Sequence, residues 1–340
     1  MTPFKVLSID GGGIKGLYSA TILKLFEADL QAAHGESARI VDYTDLICGT
    51  STGGLIALGL ALRIPATTIC EFYEKKGPLI FKGSQGLLAK LRQTLYGGKF
   101  SDGPLRTALT ELLQDRTMGD SECLLCIPTY DFTQGTYGIF KFDHKEGNLV
   151  RHNALPMIDV ALATSAAPTF FPLAQIDTMN NTQYVDGGVW ANNPSLIGLI
   201  EAMSYFVGPA KAFDHLHLLS LASLNFSAGK PPNLGRQRSF LTWAPDLFDL
   251  SLIAQSEFTD VVLKRMESGR VFPLTYARIP SAEISRDQAR YISLDLATPE
   301  AFTLMKQFAS NTYHQYRKHP PIQTFFAETK RYRTRSGSIQ

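Results

Sequence analysis

Cysteine, net charge and long apolar runs are all scarce in this 340-residue chain, and each scarcity narrows what it does. The four cysteines are Cys48, Cys70, Cys123 and Cys126. Cys123 and Cys126 have the spacing of half a metal site, yet no second pair or histidine cluster accompanies them and leucines stand between them. Buried thiols are therefore expected, with no zinc or redox site, in a reducing, cytoplasmic setting. A net charge of +2, with charged residues at 19%, leaves no basic field for a nucleic-acid polymer. The apolar stretch around residues 55–62 stops at Arg63, short of the ~20 residues that a membrane-spanning helix needs. No leader-like segment precedes the first strand-like run at residues 5–9, so a soluble or membrane-peripheral chain is expected. Apolar residues at 44% support a substantial core.

What the chain does have is glycine at three telling places. The first is Gly49-Thr50-Ser51-Thr52-Gly53-Gly54. A short apolar run, 46–48, leads in, and a small-residue apolar run, 55–62, leads out. That is strand, sharp turn and helix, the G-x-S-x-G elbow of serine hydrolases. Small residues let the chain reverse without clashes and lift the Ser51 hydroxyl to the head of a helix. A serine-capped glycine turn would give the same letters.

The second is Asp10-Gly11-Gly12-Gly13-Ile14-Lys15-Gly16, between the strand at 5–9 and an amphipathic helix at about 17–31. Three bare glycines leave amides aimable at an anion, either a phosphate or the oxyanion of acyl transfer. The same letters fit a dinucleotide fingerprint, which would make the chain an oxidoreductase with Asp42 or Asp45 on the ribose. That rival leaves Ser51 unexplained. The third is Asp186-Gly187-Gly188, delivered by a strand-like segment and followed by Asn192-Asn193-Pro194 and a helix to about 206. Alone it is a turn. In company with the others, it supplies the base a serine nucleophile requires.

Histidine is the usual base, and His215, His217, His314 and His319 follow Asp186. None has a turn or elbow signature. A Ser51–Asp186 dyad is the preferred reading, although a free aspartate with pKa ~3.9 is a weak base unless burial raises it.

These three motifs in this order resemble the patatin-like phospholipase family. Residues 163–172, with paired alanines before Pro168 and paired phenylalanines between Pro168 and Pro172, and residues 189–194 support the resemblance, which covers about residues 5–205. It implies a three-layer α/β sandwich with a central, mostly parallel sheet and C-terminal helical additions. It implies calcium-independent hydrolysis of glycerophospholipid esters at a membrane surface, with no cofactor or metal. The catalytic pair would be Ser51 and Asp186, the oxyanion hole Gly11, Gly12 and Gly13, and the supporting residues Asp10, Lys15, Gly16, Gly49, Gly53, Gly187 and Gly188. One departure is Leu219-Ser220-Leu221-Ala222-Ser223-Leu224, where such proteins often carry a glycine-rich turn. Within the family the layout is similar to phospholipase effectors of cyclic-nucleotide antiphage defence, which implies a cyclic-nucleotide activator. A catalytically inert lipid-binding or storage protein of the same fold is the alternative.

Around the motifs, 206–328 reads as an α/β extension that completes or covers a core at 5–205. Residues 329–340, with Lys330, Arg331, Arg333 and Arg335, read as a disordered basic tail. The glycine- and lysine-bearing segment 79–100 reads as a solvated helix with hinges, or else as a lid, and 225–239 as the best internal boundary.

Overall fold

A computed structural model describes residues 3–82, 98–147, 152–225, 236–237, 240–334 and 338–339. The chain opens with β1 (Pro3–Ile9) and α1 (Gly16–His34), then β2 (Leu46–Gly49), α2 (Thr52–Ala61) and α3 (Ala66–Ile80). Next come α4 (Gly103–Leu113), β3 (Leu124–Asp131), β4 (Thr136–Lys141) and α5 (Met157–Thr164). The third motif lies among β5 (Ala174–Ile176), β6 (Thr182–Asp186), α6 (Gly188–Ala191) and α7 (Ser195–Glu201). The remainder is β7 (His215–Leu221), α8 (Phe240–Ser268), β8 (Leu274–Ile279), α9 (Arg286–Ala289), α10 (Pro299–Tyr316) and α11 (Pro320–Ala327), with a small ribbon of β9 (Tyr332–Arg333) and β10 (Ser338–Ile339).

The main sheet runs β5-β6-β3-β2-β1-β7-β8, with β4 on the other edge of β3. Strands β3, β2, β1, β7 and β8 are parallel, while β4 and β6 run against β3, so the sheet is mixed. Alternation sorts the faces. Ser8 meets Ser195 of α7, and the backbone of α7 comes so close that a Cβ on Gly198 would sit 2.7 Å from Val6. The helix α2 packs against β1, β2 and β3, with α1 and α3 beside it. The result is the three-layer architecture that the resemblance implies.

Residues 206–328 are built into the sheet rather than laid over it: β7 pairs with β1 over seven residues, from Pro3↔His215 to Ile9↔Leu221. One expectation changes. The segment from 329 is not loose where it is described. Lys330 and Tyr332 are buried, and the Arg331 and Tyr332 N–H groups donate to Asp45 Oδ1 at 3.1 and 2.9 Å. The basic letters hid one aromatic anchor and a run of backbone donors. Most of the proposed hinge-or-lid segment (83–97) and most of the boundary at 225–239 lie outside the described residues.

Candidate active site

The elbow forms where β2 ends. Ser51 has φ 53° and ψ −122°, a conformation that costs a non-glycine residue about 1–3 kcal/mol. Surrounding bonds hold it there. The Ser51 N–H donates to Thr164 Oγ1 at 3.0 Å, and the Thr164 hydroxyl donates to Pro128 O at 2.6 Å. Thr50 Oγ1 donates to Ala191 O at 2.6 Å, and the Gly53 N–H to Thr50 O at 2.8 Å. Glycine is required on both sides: a Cβ on Gly49 would lie 2.2 Å from Gly53 O, and one on Gly53 would lie 2.2 Å from Ile9 O. The α2 helix starts at once with Thr52, so its amide-rich end faces the same space.

Asp186 arrives on an antiparallel strand. β2 pairs with the first half of β3, at Leu124–Cys126, and β6 takes over the second half, with Asp186 opposite Thr129. The end of β6 therefore abuts the end of β2. The Asp186 carboxyl lies beside the Ser51 side chain on the same cleft, and its Oδ1 accepts the Gly188 N–H at 2.7 Å. Burial pushes its pKa up to about 7, against the opposing pull of the nearby Ser51 hydroxyl and the Gly188 N–H. A Cβ on Gly187 would lie 2.3 Å from Pro128 O, so the turn after Asp186 is pressed against β3.

The glycine loop is held from behind. Asp10 is fully buried and pairs in two-point fashion with Arg278 of β8, at 2.6 and 3.3 Å. Arg278 also donates to Ser220 Oγ at 2.6 Å. The Ile14 N–H donates to Leu294 O at 2.9 Å, and Lys15, buried and with its pKa lowered to about 8 by that burial, donates to Asn225 Oδ1 at 3.0 Å. Gly16 lies against Thr52, where a Cβ would stand 2.1 Å from Oγ1. Of the three expected oxyanion donors, Gly11 is corrected: its N–H donates to Asn192 O at 3.0 Å and so fastens the loop. The Gly12 and Gly13 amides have no backbone acceptor among the described residues, and both residues line the cleft beside Ser51. The atypical text after β7 matters here. Ser223 packs so closely that a Cβ on Gly12 would meet its Oγ at 2.0 Å.

The cleft itself is narrow, ≈ 60 Å³, and its walls are mostly carbon. Leu55 of α2, Phe72 and Ile80 of α3, Phe81, Leu105 and, from the segment between two prolines, Phe170 and Phe171 line it. Leu252 of α8 and Leu294 line it as well, and Ser51 and Asp186 are among its polar lining residues.

The histidines lie elsewhere. His215 and His217 begin β7, at the edge of the sheet opposite to the one where Ser51 sits. His215 Nε2 is bonded to Thr275 Oγ1 at 2.8 Å, and burial lowers the pKa of His217 to about 4. His314 and His319 are exposed on α10 and before α11. All four cysteines are buried free thiols, and the described residues contain no cluster suited to a metal ion. Sequence reasoning missed Arg278, Leu252 and Leu294. A lone arginine in the apolar strand Leu274–Ile279 was the available signal for the first. The other two come from outside any motif.

The patatin-like phospholipase family model matches residues 7–198. A cGAMP-activated phospholipase of Pseudomonas aeruginosa is 32% identical over 325 residues, covering 95% of this chain and 92% of that protein. A cGAMP-activated phospholipase of Vibrio cholerae is 34% identical, over 58% of this chain and 57% of that protein. Patatin-like protein 2 of Oryza sativa is 38% identical, over 59% and 53%. None of the described helices is long and apolar enough to cross a membrane. With an elbow serine, a buried aspartate and a bare glycine loop gathered at one end of a mixed sheet, the chain belongs to the patatin-like phospholipase family and is a lipid acyl hydrolase.

Proposed function

We propose that Ser51 and Asp186 act as a nucleophile–base dyad on the acyl esters of membrane glycerophospholipids. The observation that carries this reading is that Ser51 and a buried Asp186, its pKa pushed up to about 7, line the same apolar cleft side by side. At neutral pH such a carboxylate is a far better base than a free one. It takes the Ser51 proton as Oγ attacks the ester carbon. The carbonyl electron pair moves to oxygen, and the Gly12 and Gly13 amides receive that charge, each good donor contributing about 3–4 kcal/mol in comparable sites. The intermediate expels the lysolipid alkoxide, which collects the proton from Asp186. The carbon-walled cleft suits the acyl chain, and the ester must reach it from a bilayer surface.

The rival readings are weaker on specific grounds. A dinucleotide site would need its acidic residue at the end of the second strand, whereas Asp42 and Asp45 both precede β2. An inert storage protein would have no use for a strained serine against a base. The names of two relatives support a further step: a cyclic dinucleotide such as cGAMP raises hydrolysis, as in antiphage defence, with the enzyme acting from the cytoplasm at the membrane surface. The test is fluorophosphonate labelling followed by peptide mass spectrometry, together with lipid analysis of phosphatidylethanolamine–phosphatidylglycerol liposomes with and without cGAMP. Label on Ser51 and release of fatty acid are expected. An unlabelled Ser51 would return the storage reading, and equal release with and without nucleotide would remove the activator.

A further inference from the structure

Asn192 stands between the two outer glycine motifs. Its Nδ2 donates to Ser256 Oγ at 2.9 Å and, more weakly, to Leu252 O at 3.4 Å. A carbonyl oxygen only accepts, so the amide is oriented with Oδ1 turned toward the site. That Oδ1 is buried and has no donor among the described residues. It lies 2.5 Å from the point where a Cβ on Gly11 would stand, and Ser51 Cβ lies 3.4 Å from the same point. On its other side, a Cβ on Gly188 would stand 3.5 Å from Asn192 Oδ1 and 3.1 Å from Asp186 Oδ1. One unsatisfied acceptor therefore shares a wall with both the nucleophile and the base. A buried carbonyl oxygen left this way carries an uncompensated desolvation cost, which a donor that comes with the reaction would remove.

Resting on the Ser51–Asp186 reading, we propose that Asn192 Oδ1 holds the water that hydrolyses the acyl-enzyme. In that step the fatty acyl group is esterified to Ser51 Oγ. The water oxygen bonds to the acyl carbon as one water proton passes to the Asp186 carboxylate and the carbonyl pair moves onto oxygen. The carbonyl then re-forms, the bond from carbon to Ser51 Oγ breaks, and Oγ takes the proton from Asp186. A free fatty acid leaves. The second O–H of the water, the one that does not transfer, donates to Asn192 Oδ1.

The arrangement has a chemical consequence. An alcohol has a single O–H and cannot serve both acceptors, so Asn192 biases the acyl-enzyme toward hydrolysis over transfer to alcohols. The test follows from that asymmetry. Native protein and Asn192→Ala turn over 4-nitrophenyl butyrate in buffer containing methanol, and the ratio of methyl butyrate to butyric acid is measured. A rise of at least fivefold is expected in the variant, while the rate of Ser51 labelling by a fluorophosphonate stays within threefold of native. Both products leave one acyl-enzyme, so the ratio does not depend on how much of the variant is folded. Should Asn192→Ala give no turnover, Ser256→Ala releases the amide from its anchor and is expected to move the ratio the same way by a smaller factor. An unchanged ratio overturns the role of Asn192. A native protein whose Ser51 takes no label overturns the dyad beneath it.

Discussion

Two aspartates, equally buried at opposite edges of one sheet, have opposite fates. Asp45 precedes β2, and Asp186 ends β6. Burial raises the pKa of both. Asp45 accepts three backbone N–H groups, from Lys5 at 2.8 Å, Arg331 at 3.1 Å and Tyr332 at 2.9 Å. Asp186 accepts one, from Gly188, and its other side faces the Ser51 hydroxyl. A carboxylate saturated by amides is a fastener. One left partly unsatisfied beside a hydroxyl has capacity for a proton. Burial alone does not distinguish the two; the inventory of donors does.

The strongest way to break the comparison is at the reactive edge. Ser51→Ala and Asp186→Asn are each expected to lower ester hydrolysis by ~10³-fold or more, with the circular dichroism spectrum unchanged. Retained activity in either variant would make the two aspartates equivalent after all. Gly12→Val comes next, with a loss of ~10²-fold in kcat, because the new side chain meets Ser223 and fills the space of the developing oxyanion. Measuring kcat and KM separately tells loop damage from lost binding.

Titration sharpens the contrast. If Asp186 is the base, kcat/KM is expected to rise about tenfold per pH unit below an apparent pKa near 7 and level off above it. Stability moves the other way. The folded chain keeps this proton up to about pH 7 and the unfolded chain only to 3.8, so the folded form binds more protons between those values and loses stability as pH rises through them. Asp186→Asn is accordingly expected to melt several degrees above native at about pH 8, with the gap closing as pH falls.

The smallest effects on catalysis belong to the other edge. Asp45→Ala strands three backbone donors and is expected to cost about 3 kcal/mol in denaturant titration, with activity per folded molecule within about twofold. His217→Ala is likewise expected to stay within about twofold, since its ring packs beneath the sheet against Phe325. A large catalytic loss in well-folded His217→Ala would argue for a triad.

Much of this was legible before any coordinates. Small residues around Ser51, bare glycines after β1 and a glycine pair after Asp186 are local signals, because a tight turn must be written in the residues that make it. The strand at 5–9 and the helix that begins near 17 were equally plain from their patterns. What escaped depends on contacts distant in sequence. Nothing near Gly11 announces that its amide is taken by Asn192, and nothing near Asp10 announces Arg278. The basic letters after 329 suggested a solvated tail because charge is read residue by residue, whereas the segment is held by its backbone amides and by Tyr332.

The pairing of Asp10 with Arg278 also sets an order of events during synthesis. When a ribosome has translated everything through residue 198, the serine, the aspartate and all three glycine motifs already exist. Strand β1 still has a bare edge, and Asp10 has no counter-ion. Those arrive only with β7 and β8. A growing polypeptide thus carries all three motifs before the brace behind its glycine loop can form, and only translation through β8 supplies it.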